Sequence, residues 1–235
     1  MAFGWLMLSV ISPLAHSQEQ KSAGNVVLLH GLARTSGSMD SMEKHLSKAG
    51  FKICNIDYPS RKHRIEHLTS EFVVPEIQQC FGDSLTPVYF VTHSLGGIIV
   101  RQLAAEHQQI KIGRVVMLSP PNQGSEVVDK LGTWGLFEWI NGPAGKQLGT
   151  TEEAVPNQLG PATFELGIIT GNRSINLILS TLIPGPDDGK VSIKNARLDG
   201  MQDFLVVRQT HPFIMANDTV QSQTLHFLKN GHFQH

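Results

Sequence analysis

The stretch Val88–Gly97, with the sequence VYFVTHSLGG, decides the fold of this chain. Its first four residues form an apolar run that is typical of a strand buried on both faces. Two glycines follow shortly after Ser94 and open a helical pattern over Ile98–Ala105. The order strand, tight turn, helix predicts that Ser94 is exposed on the turn and becomes a nucleophile once a base activates it. The alternative is an ordinary Ser-Gly turn without chemistry.

The residues around Ser94 follow the nucleophile-turn pattern G-x-S-x-G with one departure. Gly96 stands two residues after the serine and lets the turn pack closely. Two residues before the serine, the chain has Thr92 where the pattern has glycine. That position requires a small side chain, and threonine is near the limit of what fits.

The rest of the chain alternates between strand-like and helix-like segments. Apolar runs bounded by turn residues predict five more strands, at Val26–His30, Phe51–Ile56, Val115–Leu118, Leu166–Thr170 and Phe204–Val207. Helical spacing predicts helices at Met39–Ala49 and Glu66–Phe81, and a last helix with Asn217 as its N-cap. This alternation predicts an α/β fold with a mostly parallel sheet and helices on both faces.

One stretch, Ser125–Glu165, interrupts this alternation with glycines, prolines and a dense group of aromatic residues. Insertions of this size in compact domains are usually functional. We therefore expect this stretch to be functional, with Trp134, Phe137 and Trp139 lining a substrate pocket next to Ser94. The alternative is a cap helix whose aromatic side chains are ordinary core.

The N-terminus has the layout of a secretory signal. Phe3–Ala15 is an apolar run too short to span a bilayer, and Ala15-His16-Ser17 places small residues where a signal peptidase cuts. No Lys or Arg precedes the run, which departs from the usual pattern. We predict that residues 1–17 are a signal peptide and that the protein is exported, to the periplasm or the medium. A buried N-terminal strand or helix is the alternative.

The chain has two cysteines, Cys54 and Cys80. An exported protein would permit a disulfide between them, worth about 3–4 kcal/mol in the chain-entropy model. The sequence equally allows two small buried apolar side chains.

Composition limits the remaining function classes. The 235 residues are 40% hydrophobic and 17% charged, which is ordinary for a globular domain. The net charge of −1 offers no electrostatic footprint for nucleic acid. The 11 histidines are scattered rather than set at metal-ligand spacings, so the sequence implies no metal site.

The sequence resembles the α/β-hydrolase superfamily, and within it the small bacterial lipases and esterases. The resemblance covers nearly all of residues 24–230, and its most specific segments are NVVLLHGL at Asn25–Leu32 and THSLGG at Thr92–Gly97. Later segments that match are LSPPNQGS, PDDGKVS and THPFIM. The resemblance implies one hydrolase domain over residues 18–235, with residues 125–165 as its lid insertion.

The resemblance also implies the base and the acid, because this fold presents its catalytic residues in the order serine, acid, histidine. Among the late histidines, His211 follows a strand, whereas His226 lies inside the last helix and His232 and His235 lie on the tail. Family loops carry the acid directly before Gly-x-Val, which corresponds to Asp188. Asp187 remains the alternative, since a slip of one residue in this Gly/Pro-rich turn is conceivable.

Two backbone amides complete the implied site. In the family, the loop after the first strand supplies one oxyanion-hole donor, here the N–H of Leu32, and the N–H of Leu95 supplies the other. His30 and His93 occupy motif positions whose backbone, rather than ring, takes part in the chemistry.

The expected function is hydrolysis of a carboxylic ester, through an acyl-enzyme on Ser94, without a cofactor. The substrate would be an ester or lipid-like small molecule, with transient contact to a lipid surface through the lid and no transmembrane segment. Two alternatives stay open: an acyltransferase with the same residues, and a non-catalytic binding or chaperone module that kept the fold.

Overall fold

The computed structural model describes residues 22–82, 86–131, 135–175 and 180–235. Six parallel strands form one sheet in the order β2-β1-β3-β4-β5-β6. The strands are β1 Asn25–Leu29, β2 Lys52–Ile56, β3 Val88–His93, β4 Ile112–Leu118, β5 Leu166–Gly171 and β6 Asp203–Val207. All six strands predicted from the sequence are confirmed. The predicted signal peptide, residues 1–17, lies outside the described residues.

Helices connect the strands. They are α1 Asp40–Lys48, α2 Ile65–Leu68, α3 Val74–Phe81, α4 Leu95–Glu106, α5 Glu126–Leu131, α6 Gly135–Lys146, α7 Val155–Gln158, α8 Ile193–Ala196 and α9 Asp218–Asn230. Asn217 caps α9 as predicted, because its side chain accepts a hydrogen bond from the Val220 N–H. None of these helices, in the part of the chain that the structure describes, is long and apolar enough to cross a membrane.

The sheet is covered on both faces, as the apolar runs predict. Alternate residues of β1 point to opposite sides, so that Val27 and Leu29 belong to one buried cluster and Val26 and Leu28 to another. The first cluster includes side chains of α2, α3 and α4. The second includes side chains of α1 and α9. A parallel sheet buried in this way places the loops after its strands together at one edge.

The helical pattern at 66–81 forms three pieces rather than one helix. A π-helical turn, Thr69–Val73, separates α2 from α3. Pro75 follows within the first turn of α3 and has no backbone N–H to donate to the preceding turn. A wider π turn is one way in which a helix accommodates such a missing hydrogen bond.

The described part of the insertion at 125–165 contains α5, α6 and α7. Gly142 interrupts α6 with a left-handed φ of 63°, and Pro143 follows it. Of the three aromatic residues expected in the lid, Trp134 lies outside the described residues, and so do the side chains of Phe137 and Trp139.

The strand order reverses at β1, whose neighbours are β2 on one side and β3 on the other. The chain passes from β1 to β2 in one direction, and from β3 it continues through β4, β5 and β6 in the other. The loops that follow β1 and β3 therefore diverge at the carboxyl edge of the sheet. Open α/β sheets bind their ligands in the crevice at such a switch point.

A disulfide joins Cys54 in β2 to Cys80 in α3, with their Cα atoms 6.1 Å apart. This resolves the alternative that the sequence left open. The bond closes a loop over a sequence separation of 26 residues and ties the covering helix to the edge strand β2.

Removing this bond is expected to lower the free energy of unfolding by about 3–4 kcal/mol, because the unfolded chain regains loop entropy. For a chain of this size, that corresponds to a loss of about 6–16 °C in Tm. Thermal melts of Cys54→Ala/Cys80→Ala and of the reduced wild type should show the same drop. Reductant should leave the double variant unaffected, and an unchanged Tm in the double variant would contradict the expectation.

Candidate active site

Ser94 lies on the turn between β3 and α4, with backbone angles φ 52° and ψ −117°. Residues other than glycine rarely adopt such backbone angles, so the turn holds Ser94 in a strained conformation. The Ser94 N–H donates to the Leu118 carbonyl oxygen of the neighbouring strand, at 2.9 Å. The strand, turn and helix predicted around Ser94 are therefore all present.

The close packing predicted at Gly96 has a physical cause. A Cβ atom at this position would lie 2.6 Å from the Leu29 carbonyl oxygen, so α4 can approach β1 only if the residue is glycine. Thr92, the departure from the pattern, is fully buried in β3 opposite Leu29. The turn therefore accommodates threonine where the pattern has glycine.

His211 and Asp188 form a hydrogen-bonded pair. The distance from His211 Nδ1 to Asp188 Oδ2 is 2.8 Å, and both side chains are buried. A second bond, from the His211 N–H to the Asp188 carbonyl oxygen at 2.9 Å, fixes the backbones to each other. An ionised carboxylate can only accept, so Nδ1 carries the proton and Nε2 of the neutral ring is left as a base.

The two neighbouring carboxylates have separate partners. Asp187 turns back into its own loop, where its Oδ1 accepts from Ser180 Oγ at 2.8 Å and from the Gly189 N–H at 2.7 Å. The carboxylate that contacts His211 belongs to Asp188. Of the two acids that the sequence offered, the geometry pairs Asp188 with the histidine.

Asp188 is stabilised in its ionised form despite its burial. Burial alone would raise its pKa, but the charge and hydrogen bond of His211 lower it below the ordinary value. Its other oxygen, Oδ1, accepts from the backbone N–H groups of Lys190 at 3.0 Å and Val191 at 2.9 Å. The carboxylate is therefore ionised at neutral pH and can hold the ring of His211 in one tautomer.

The ring of His93 supports His211, a structural role that agrees with the expectation that this ring takes no direct part in the chemistry. His93 Nε2 lies 3.0 Å from the His211 carbonyl oxygen, to which it donates. Burial lowers the pKa of His93 well below its ordinary value, and a positive charge on His211 lowers it further. The neutral ring thus holds the backbone of His211 in place. A Cβ at Gly31 would lie 2.7 Å from His93 Nδ1, which explains the glycine there.

The two expected oxyanion donors lie on either side of the switch point. Leu95 is the first residue of α4, where a helix leaves its N–H groups without intrahelical acceptors. Leu32 follows β1 and lines the same cavity as Ser94. His30 stacks on Tyr58 with ring centroids 4.0 Å apart, and its Nε2 accepts from the Tyr58 N–H at 3.3 Å. This packing agrees with the expectation that the ring of His30 is structural.

A cavity of about 380 Å³ opens beside these residues and contains Ser94, His211 and Asp188 in its wall. The insertion supplies much of the remaining wall, through Ser125, Val127, Val128, Leu131, Asn141 and Leu148. A mostly apolar wall with a few convergent polar groups is typical of a small-molecule site.

The other late histidines do not line this cavity. His226 lies on α9, and His235 Nε2 lies 2.9 Å from Asp203 Oδ1. Asp203 is the first residue of β6, so this contact lies at the opposite edge of the sheet. Within the described ranges, no three His, Cys, Asp or Glu side chains come together as ligands for a metal ion.

Known structures share this architecture. The mature form of Bacillus licheniformis lipase BlEst2 has a TM-score of 0.67 at 22% identity, over 92% of this chain and 96% of that chain. Aspergillus fumigatus lipase B gives 0.63 at 16% identity, over 88% and 53%. Phospholipase PlaB from Legionella pneumophila gives 0.61 at 16%, over 74% and 45%. Identities this low indicate a shared fold and leave the substrate undetermined.

No curated protein sequence matches the chain. The family model described as alpha/beta hydrolase fold does match, over residues 24–157, which include β1 to β4 and the turn at Ser94. With the six-stranded parallel sheet and the strained serine turn, that match identifies the chain as a member of the α/β-hydrolase family.

Proposed function

We propose that this protein is a serine hydrolase that cleaves carboxylic esters through an acyl-enzyme on Ser94. The observation that carries the proposal is the arrangement at the cavity. Ser94 stands on a strained turn in the same wall as His211, whose Nδ1 is bound to the buried Asp188. This combination supplies a nucleophile, a base and a group that orients the base.

In the first half of the reaction, His211 Nε2 takes the proton of the Ser94 hydroxyl as Oγ attacks the ester carbonyl. The carbonyl oxygen becomes an oxyanion, which accepts hydrogen bonds from the N–H groups of Leu32 and Leu95. Collapse of this intermediate breaks the bond to the alcohol oxygen. The protonated His211 gives its proton to that oxygen, so the alcohol leaves neutral and the acyl group stays on Ser94.

In the second half, water replaces the alcohol. His211 Nε2 takes a proton from the water as its oxygen attacks the acyl-enzyme, and the same two amides hold the second oxyanion. Release of Ser94 Oγ, which recovers its proton from His211, yields the carboxylic acid and the free enzyme. Asp188 stays ionised throughout and stabilises the imidazolium that forms in both halves.

Labelling with a fluorophosphonate probe tests the proposal directly, because only an activated serine reacts with it. We expect wild-type protein to be labelled and 4-nitrophenyl esters to be hydrolysed. A folded protein that neither labels nor hydrolyses would instead be a binding module. Adding an acceptor alcohol to the ester assay distinguishes a transferase, which would form a new ester faster than free acid.

We further propose that the enzyme works outside the cytoplasm. The disulfide between Cys54 and Cys80 supports this location, because such bonds persist in oxidising compartments. The apolar run at the N-terminus is the second support. The location is tested by fractionating cells that express the full chain, and accumulation of the uncut chain in the cytoplasm would contradict it.

Within this proposal, the acyl chain should lie against the part of the wall that α5 supplies. Leu131→Ser removes apolar surface there, at a cost of about 1 kcal/mol for a chain long enough to reach it. We therefore expect kcat/KM to fall about fivefold more for the octanoate than for the acetate 4-nitrophenyl ester.

A matched control for this variant is Val206→Ser, on β6 and outside the cavity wall. Val206 is already 38% exposed, so its replacement should affect both esters alike. Circular dichroism must show both variants folded. Equal losses on the two esters for Leu131→Ser would mean that α5 does not contact the acyl chain.

A further inference from the structure

The cavity around Ser94 contains an excess of positive charge. Two cationic side chains, Arg34 and Lys190, form part of its wall. Among the described residues of the wall, Asp188 supplies the one carboxylate, and that carboxylate is already hydrogen-bonded to His211. Both residues are exposed to solvent, and neither cationic head group forms an ion pair or hydrogen bond with a described residue.

Hydrogen bonds to the backbone fix where the Arg34 side chain begins. Ala33 has a left-handed φ of 57°, and its N–H donates to Ser60 Oγ at 3.1 Å. The Arg34 N–H then donates to the Gly31 carbonyl oxygen at 3.2 Å. Arg34 therefore starts from a tight turn, two residues after the proposed oxyanion donor Leu32.

Lys190 is fixed in a similar way on the loop of the acid. Its N–H donates to Asp188 Oδ1 at 3.0 Å, and its carbonyl oxygen accepts from Ser125 Oγ at 2.9 Å. The backbone of Lys190 is thus hydrogen-bonded both to the proposed acid and to the start of the insertion. These contacts fix the backbone of Lys190 beside the catalytic groups, within reach of its side chain.

The two cations are close enough to repel each other. Lys190 is accessible to solvent but sits in a recess, where partial loss of hydration lowers its pKa. The charge of Arg34 lowers it further, and Asp188 acts in the opposite sense. Like charges held together at a recess cost free energy unless an anion neutralises them.

Two more cations lie at the carboxyl edge of the sheet, outside the cavity wall. Arg173 and Arg208 follow β5 and β6 and are exposed at the same edge of the sheet. Asp57, which follows β2 at this edge, accepts from the Ser36 N–H at 2.8 Å. Asp57 keeps its negative charge and Asp187 also lies at this edge, so the excess of cations that an anionic substrate would meet is the one in the cavity wall.

From this placement, we infer that the natural substrate is an ester that carries an anionic group, either a carboxylate or a phosphate. Arg34 and Lys190 bind that group while the ester carbonyl lies at Ser94. This inference rests on the proposed function and adds the chemical class of the substrate to it. Arginine presents a planar fork to such groups, and lysine adds a compact charge.

Two pairs of esters test the inference. In each pair, one ester carries an anionic group and the other lacks it. Mono-4-nitrophenyl adipate is compared with 4-nitrophenyl hexanoate, which probes a carboxylate on the acyl side. Butyrylglycerol phosphate is compared with butyrylglycerol, which probes a phosphate on the alcohol side. We expect kcat/KM of wild type to favour the anionic member of at least one pair, and the preference to weaken in about 0.5 M NaCl.

The variant Arg34→Gln/Lys190→Gln should lower that preference at least tenfold, and Lys190→Arg should retain it. Lys48→Gln, on α1 and outside the cavity wall, is the matched control and should behave as wild type. A wild type with no anionic preference, or a double variant with an unchanged ratio, overturns the inference. If the wild type neither labels with fluorophosphonate nor cleaves the neutral esters, the proposed function itself has failed.

Discussion

Replacing Ser94 with alanine is expected to lower kcat for ester hydrolysis by about 10³-fold or more, because the variant lacks the oxygen that attacks the carbonyl. Fluorophosphonate labelling should disappear with it. Stability should change little, since alanine keeps the Cβ atom and meets the same strain at φ 52°. Steady-state assays with 4-nitrophenyl esters and a thermal melt measure both effects.

A second variant at this position tests the strain itself. Ser94→Gly also lacks the nucleophile, but glycine adopts a positive φ without steric cost. We therefore expect Ser94→Gly to be as inactive as Ser94→Ala and to melt at a higher temperature than that variant. Strain of this kind is worth about 1–3 kcal/mol. If Ser94→Ala keeps more than a tenth of the wild-type activity, Ser94 is not the nucleophile.

Much of the fold could be predicted because its core strands are unambiguous. Val26–Leu29 and Val88–Val91 are short apolar runs rich in β-branched and aromatic residues, and each is followed by a turn signal, as is typical of buried parallel strands. The turn at Ser94 could also be predicted, because an apolar run, the serine and two following glycines occur there together. The π turn in the segment 65–81 was missed, because helical periodicity is nearly the same on either side of it.

The choice between Asp187 and Asp188 depended on a loop that periodicity does not describe. The two carboxylates are adjacent in sequence, and one of them is captured by Ser180 and the Gly189 N–H within the loop itself. The resemblance to known hydrolases indicated Asp188, and the hydrogen bond to His211 agrees with it. Secondary-structure propensities do not indicate which of the two carboxylates faces His211.

Contacts between distant parts of the chain could not be predicted from local pattern. The His93 ring reaches the carbonyl of a residue 118 positions later, and nothing in the sequence near His93 reports this. The pairing of Cys54 with Cys80 likewise depended on how α3 lies over β2. Arg34 and Lys190 line the same cavity although β1 and β5, the strands that precede their loops, are separated in the sheet by β3 and β4.

Asp188→Asn is expected to lower kcat by about 10⁴-fold while leaving KM nearly unchanged. An asparagine can turn its amide N–H₂ toward His211 Nδ1, and the ring proton then moves to Nε2. In that tautomer, Nε2 cannot accept the proton of Ser94. Asp187→Asn is the matched control, and it should cost little, because an amide oxygen still accepts from Ser180 and the Gly189 N–H.

The pH dependence of stability provides an independent measure of the same carboxylate. Burial acts to raise the pKa of Asp188, but the charge and hydrogen bond of His211, together with the hydrogen bonds from Ser119 and the Val191 N–H, make it lower in the fold than in the unfolded chain. The ionised Asp188 therefore makes its full contribution to the free energy of unfolding above about pH 5, and this contribution is lost as the pH falls below about 4. Urea titrations across this range should show a steeper acid loss for wild type than for Asp188→Asn. If Asp187→Asn instead removes both the activity and the acid-dependent stability, Asp187 is the residue that orients His211.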